Sequence, residues 1–133
     1  MDKVVLDASA VLARIHNEPG GRRVDALLDA IEAGADVQVS ISAVNWSEIL
    51  TRLGREAITN ASQKLSSLLA GVELVPFGQT EAELTAQVAE GCPSLSLGDR
   101  ACVALASRLG ATAWTTDKIW AQMPVRAKLE ILR

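Results

Sequence analysis

Apolar residues in this chain follow two spacings, and the switches between them divide it into short elements. Val4, Val5 and Leu6 form an apolar, largely β-branched run ending on Asp7, which predicts a short buried strand. Val11, Leu12 and Ile15 then fall at helical spacing within Ala8 to Ile15, and Asn17-Glu18-Pro19-Gly20-Gly21 breaks the chain. A second helix is predicted from Arg22 to Ala33, stopped by Gly34, with Val24, Leu27, Leu28 and Ile31 on one face. Val37, Val39 and Ile41 alternate with Gln38 and Ser40, the period of a strand. Ser42 caps a helix carrying Val44, Trp46, Ile49, Leu50 and Leu53, and another amphipathic helix runs from about Asn60 to Ala70.

The second half repeats this rhythm. Val72 to Phe77 reads as a strand, and Thr80 caps a helix to about Glu90 that Gly91-Cys92-Pro93 ends. Leu97 to Leu109 is a long apolar helix stopped by Gly110. Thr112 to Thr115 follows as a strand, Lys118 to Gln122 as a short helix and Leu129 to Leu132 as a final strand. Strands alternating with helices predict an α/β fold: a three-layer α/β/α sandwich around a central parallel sheet of four to five strands. No repeat, low-complexity tract or long linker divides residues 1–133, so a single domain is expected.

Composition narrows the class. With 49% hydrophobic and 22% charged residues the chain is globular, not disordered. No apolar run approaches the ~18 residues of a membrane span, and Asp7 interrupts the apolar start too early for a signal peptide, so a cytoplasmic protein without membrane contact is expected. Cys92 and Cys102 lack metal-ligand spacing and read as packed, reduced thiols, while His16 is the sole histidine; zinc is not indicated. The net charge of −3 would argue against a nucleic-acid partner. Setting aside four acids singled out below leaves twelve against thirteen Lys and Arg, a nearly neutral remainder.

Those four acids stand out by position. Asp7 ends the first strand, Asp99 lies in the first turn of the long apolar helix, and Asp117 directly follows the fourth strand. In open parallel sheets, sites form beyond the carboxyl ends of the strands where strand order reverses, here between strands one and four if the order is 3-2-1-4-5. Glu48, one to two turns into the helix after strand two, can lean over the same crevice. Each acid also has a local role open to it. Asp7 and Asp117 can cap the helices that follow them, Asp99 can complete a capping box with Ser96, and Glu48 can pair with Arg52. Sharing one crevice is costly without a cation, since two unit charges 4 Å apart repel by roughly 4 kcal/mol at an effective dielectric of 20. All-carboxylate ligation selects Mg²⁺ or Mn²⁺, which activates water and clamps phosphate oxygens.

The stretches VVLDASAVLA, SAVNWSEIL, LSLGDRACVALA and TAWTTDKIW resemble the PIN-domain family, most closely its VapC-type toxins from bacterial toxin–antitoxin pairs. Their order and spacing cover nearly the whole chain, and LSLGDRACVALA is the most specific. The resemblance implies a metal-dependent endoribonuclease with Asp7, Glu48 and Asp99 as its first three acids and Asp117 at the variable fourth position. It also gives supporting roles to Ser9, which helps order metal-bound water, and to Thr115, whose hydroxyl supports the last acid. A structured RNA substrate such as tRNA, a cognate antitoxin and a homodimer follow from the same resemblance.

Arg14, Arg22, Arg23, Arg100 and Lys118 are candidate phosphate contacts near the expected site, each equally explicable as solvated surface charge. Trp46, Trp114 and Trp120 lie in apolar patterns that favour packing over base stacking. Apolar residues around Leu27, Leu50 and Leu68 suit a groove for an antitoxin helix. Two rival enzymes are disfavoured. A phosphorelay receiver needs an Asp at the end of strand three, which reads Leu74-Val75-Pro76-Phe77, and a haloacid-dehalogenase-type phosphatase needs an Asp where Ser9 stands. A catalytically silent PIN-like module that binds RNA or protein is the remaining alternative.

Overall fold

The computed structural model describes residues 1–133. Its elements are β1 (Asp2–Leu6), α1 (Ala8–Ile15), α2 (Gly21–Glu32), β2 (Val37–Ser42), α3 (Ala43–Arg55), α4 (Ala61–Leu68), β3 (Glu73–Val75), α5 (Gln79–Gly91), α6 (Leu97–Leu109), β4 (Thr112–Thr115), a 3₁₀ turn (Lys118–Gln122) and β5 (Lys128–Ile131). The five strands form one parallel sheet in the order β3-β2-β1-β4-β5. The order reverses at β1, so the crevice beyond β1 and β4 lies where the sequence placed it.

Period-two alternation in the strands builds two cores on opposite faces. Val4 and Leu6 of β1 join Val39 and Ile41 of β2 in a cluster with Val11, Val24, Ile49, Leu53 and Leu65, from α1 to α4. Val5 points the other way, against Cys102, Val103 and Ala106 of α6, Ala113 of β4 and the fully buried Trp120. The sandwich therefore has three layers, with the inner strands β1, β2 and β4 covered on both sides and the edge strands β3 and β5 more open. Trp46 and Trp114 pack partly buried against the first cluster, and the Arg23 guanidinium sits 5.2 Å from the Trp114 ring centroid. No helix is long and apolar enough to cross a membrane.

Several element ends lie a residue or two from the expected ones, as in α2, α4 and β5, and two of the shifts have a clear physical cause. β3 holds only three residues and stops at Val75, because Pro76 has no N–H for the ladder. α5 begins at Gln79, one position before Thr80, because Glu81 reaches back to accept the Gly78 N–H at 2.9 Å and is held by Arg108. α6 ends as expected on Gly110, whose φ of +63° is a left-handed conformation that glycine takes freely.

Candidate metal-binding active site

The ladder delivers Asp7 to the crevice. Leu6 pairs with Trp114, and the Asp7 N–H continues the ladder by donating to Trp114 O at 2.9 Å. The side chain then makes no cap bond to α1. Instead Asp7 Oδ2 accepts from the Ser9 hydroxyl at 2.7 Å and the Thr115 hydroxyl at 3.0 Å. Thr115 Oγ1 accepts the Asp117 N–H at 3.1 Å, and Ser9 Oγ accepts the Thr116 N–H at 3.1 Å. The two hydroxyls thus join the end of β1 to the segment leaving β4. Thr115 supports the last acid only through its backbone; its own proton goes to the first.

The other acids each combine a local bond with a place at the crevice. Asp99 forms the capping box, its Oδ2 accepting the Ser96 N–H at 3.3 Å while Ser96 Oγ accepts the Asp99 N–H at 3.2 Å. Asp117 Oδ1 accepts the Ile119 N–H at 3.0 Å and caps the 3₁₀ turn. Glu48 makes no pair with Arg52, whose Nε lies 2.9 Å from Glu56. Glu48 Oε1 instead accepts from Asn45 Nδ2 at 2.8 Å. In all four acids one oxygen is tied to the scaffold and the other has no hydrogen-bond partner. Even in the almost wholly buried Asp7, the unpaired Oδ1 is not sealed from solvent.

The acids register one another's charge. Burial pushes the Asp7 carboxyl up to about 7, and the charges of Asp99 and Glu48 add to this against the two hydroxyl bonds. Burial also raises Asp99, opposed by its Ser96 bonds and assisted by Asp117. Burial raises the Cys102 thiol far above its ordinary range, with Asp7, Asp99 and Glu48 contributing, so this sulfur lies beneath the cluster and is inert. A hard divalent cation fits this set by donor chemistry, free oxygens and relief of repulsion. In the present geometry, no three acids converge tightly enough to close round one ion. Asp99 and Asp117 are turned toward their caps.

The basic residues divide. Arg14 is held by Asp25 at 2.7 Å, and Arg23 by Glu130 at 2.8 Å. Arg100, next to Asp99, gives its Nε to Leu95 O at 3.2 Å. Arg22 and Lys118 have no ion-pair partner. Residues not anticipated from the sequence also frame the site. An open groove lined by Ala8, Leu12, Val44, Glu48, Arg52 and Arg55 leads away from Glu48, and Arg133 bonds Thr116 O at 3.3 Å. Only the helical spacing of Arg52 and Arg55 from Glu48 hints at the first; Arg133 carried no sequence signal.

Comparison with known families decides the assignment: the model of the PIN domain matches residues 4–125. The chain belongs to the PIN domain family. No curated protein sequence matches this PIN domain. Among solved structures it is similar to VapBC2 from Rickettsia felis bound to a promoter DNA fragment, at 17% identity and a TM-score of 0.72, covering 96% of this chain and 97% of that one. It is also similar to DNA-bound VapBC from Salmonella typhimurium, at 19% identity and a TM-score of 0.69, covering 98% of each chain. VapBC-5 of Mycobacterium tuberculosis, a member of the VapBC toxin–antitoxin family, gives 25% identity and a TM-score of 0.60, covering 100% and 99%. The PIN domain thus resembles the VapC toxins of VapBC systems in fold.

Proposed function

We infer that this PIN domain is the toxin of a toxin–antitoxin pair and a Mg²⁺- or Mn²⁺-dependent endoribonuclease that hydrolyses RNA phosphodiester bonds. One observation carries the reading: four carboxylates at the reversal point of a parallel sheet each keep one oxygen free. Asp7, Glu48 and Asp99 would hold the cation, with Asp117 as fourth member. When bound, the ion supplies Lewis-acid chemistry, making water nucleophilic near neutral pH and neutralising phosphate charge. The chain's share is positioning. Ser9 and Thr115 hold Asp7, and Thr115 sets the backbone that aims Asp117. No histidine base is called for, and His16 is engaged by Glu56 at 2.8 Å.

Arg100 and Lys118 beside the acids suit contacts to RNA phosphates, and Arg14 can join them by giving up Asp25. A folded RNA such as tRNA offers accessible phosphates in its loops. The neighbouring folds come from toxin–antitoxin complexes, which supports a cognate antitoxin as partner. A homodimer and a cytoplasmic location complete the reading. The rival, a PIN module that binds RNA or protein without cutting, draws on the open arrangement of the acids.

One assay separates the two. Purified protein, Asp7→Asn and Asp99→Asn are incubated with total cellular RNA, with and without Mn²⁺ or Mg²⁺. Cleavage by the unmodified protein only with the cation, and a loss of at least about 100-fold in each variant, is expected. Equal cleavage by all three refutes the metal site, and RNA binding without cleavage establishes the silent module.

A further inference from the structure

Asn45 lies in the first turn of α3, where an asparagine ordinarily faces solvent, yet it is fully buried. Its Nδ2 makes two bonds, to Glu48 Oε1 at 2.8 Å and to Gly98 O at 3.0 Å, across 53 positions of sequence. Its Oδ1 is buried without a partner, a cost that folding alone gives no reason to bear. The Glu48 carboxylate also lies directly on Gly98 in the first turn of α6. A Cβ there would collide with both of its oxygens. The carboxylate is therefore held by the Asn45 amide against a helix whose glycine leaves room for it.

We propose that Asn45 is a positioning residue for Glu48, and that the Asn45–Gly98 clamp makes the site's cation affinity depend on how α3 seats against α6. Both groups of the Asn45 NH₂ are needed: one proton fixes Glu48 Oε1, and the other anchors the amide to the helix that also carries Asp99. Oε2 is left as the free donor atom. This inference rests on the reading that Glu48 contributes to a divalent-cation site.

The test is calorimetric titration of the purified protein with Mn²⁺ alone, with thermal unfolding of each metal-free variant alongside. Glu48→Gln reports on the cation site itself and weakens Mn²⁺ binding. Asn45→Ala lowers Mn²⁺ affinity roughly 10- to 100-fold, the range for partners that orient a metal ligand. Gly98→Ala does the same by displacing the carboxylate, and its melting curve, measured alongside, separates that loss from unfolding. Mn²⁺ binding that falls in Glu48→Gln yet is unchanged in Asn45→Ala and Gly98→Ala overturns the clamp and leaves the cation site standing. Absence of Mn²⁺ binding by the unmodified protein overturns the cation site and the clamp with it.

Discussion

Replacing Asp7 by asparagine should stabilise the metal-free protein and flatten its dependence on pH. A carboxyl whose proton affinity rises from an ordinary 3.8 to about 7 on folding makes the ionised form costly. At ~1.4 kcal/mol per tenfold change, the penalty reaches about 4 kcal/mol once both folded and unfolded chains are ionised. The folded state binds the extra proton between these values, so this stability is fully present below 3.8 and is lost as pH rises through about 7. Between about pH 5 and pH 8 the loss amounts to about 2–3 kcal/mol, or a fall in Tm of roughly 5–10 °C for a chain of this size. Glu56 and Glu81, both lowered, act oppositely but only below their ordinary 4.5, outside that window. In Asp7→Asn the amide oxygen still accepts from Ser9 and Thr115, and its NH₂ faces the remaining carboxylates. Its Tm should fall less from pH 5 to 8 than that of the unmodified protein, with the raised Asp99 carboxyl leaving a residual fall of the same sign, and should exceed it at the upper end. Differential scanning calorimetry in chelator-treated buffer measures both curves. Parallel curves, or a large loss of Tm in the variant at pH 8, would refute the argument that an ionised Asp7 is a burden without a cation.

Other outcomes follow from single contacts. Thr115→Val removes the donor to Asp7 and the acceptor for the Asp117 N–H, and should cost about 1–3 kcal/mol by urea unfolding. Ser42→Ala deletes the side-chain cap on α3, where Ser42 Oγ accepts the Val44 N–H at 3.2 Å, and should cost about 1 kcal/mol in the same assay. Trp120→Ala empties a fully buried position between β4, β5 and α6 and should cost about 3–5 kcal/mol. Cys92 and Cys102 should resist a disulfide thiol reagent in the native protein and react on unfolding, checked by absorbance against time.

Hydrophobic spacing made most of this fold legible because the inner strands are buried on both faces and the helices on one. Val4, Val5 and Leu6 announce β1, and the alternation of element types leads to a parallel α/β sandwich; the 3-2-1-4-5 order entered only as a condition, which the structure meets. The caps were readable for the same reason: Ser96 with Asp99 and Asp117 with Ile119 N–H are contacts within three residues. What escaped was either a choice among local partners or a long-range contact. Arg52 sits at i+4 from Glu48 and at i−4 from Glu56, and spacing alone cannot tell which it takes; it takes Glu56. Thr115 serves both Asp7 and the Asp117 backbone, a division that depends on which way one hydroxyl turns. Asn45 and Gly98 meet only after α3 and α6 pack, so neither carried a signal along the chain.

The bond between Asp7 and Thr115 spans 108 residues, and β1 must pair with both β2 and β4. β4 carries Thr115 and leads directly into Asp117, so one ladder, β1 with β4, brings both to the first acid. Parting that ladder would strip Asp7 of a hydroxyl donor and carry Asp117 away in the same movement, so the crevice forms or comes apart as a unit.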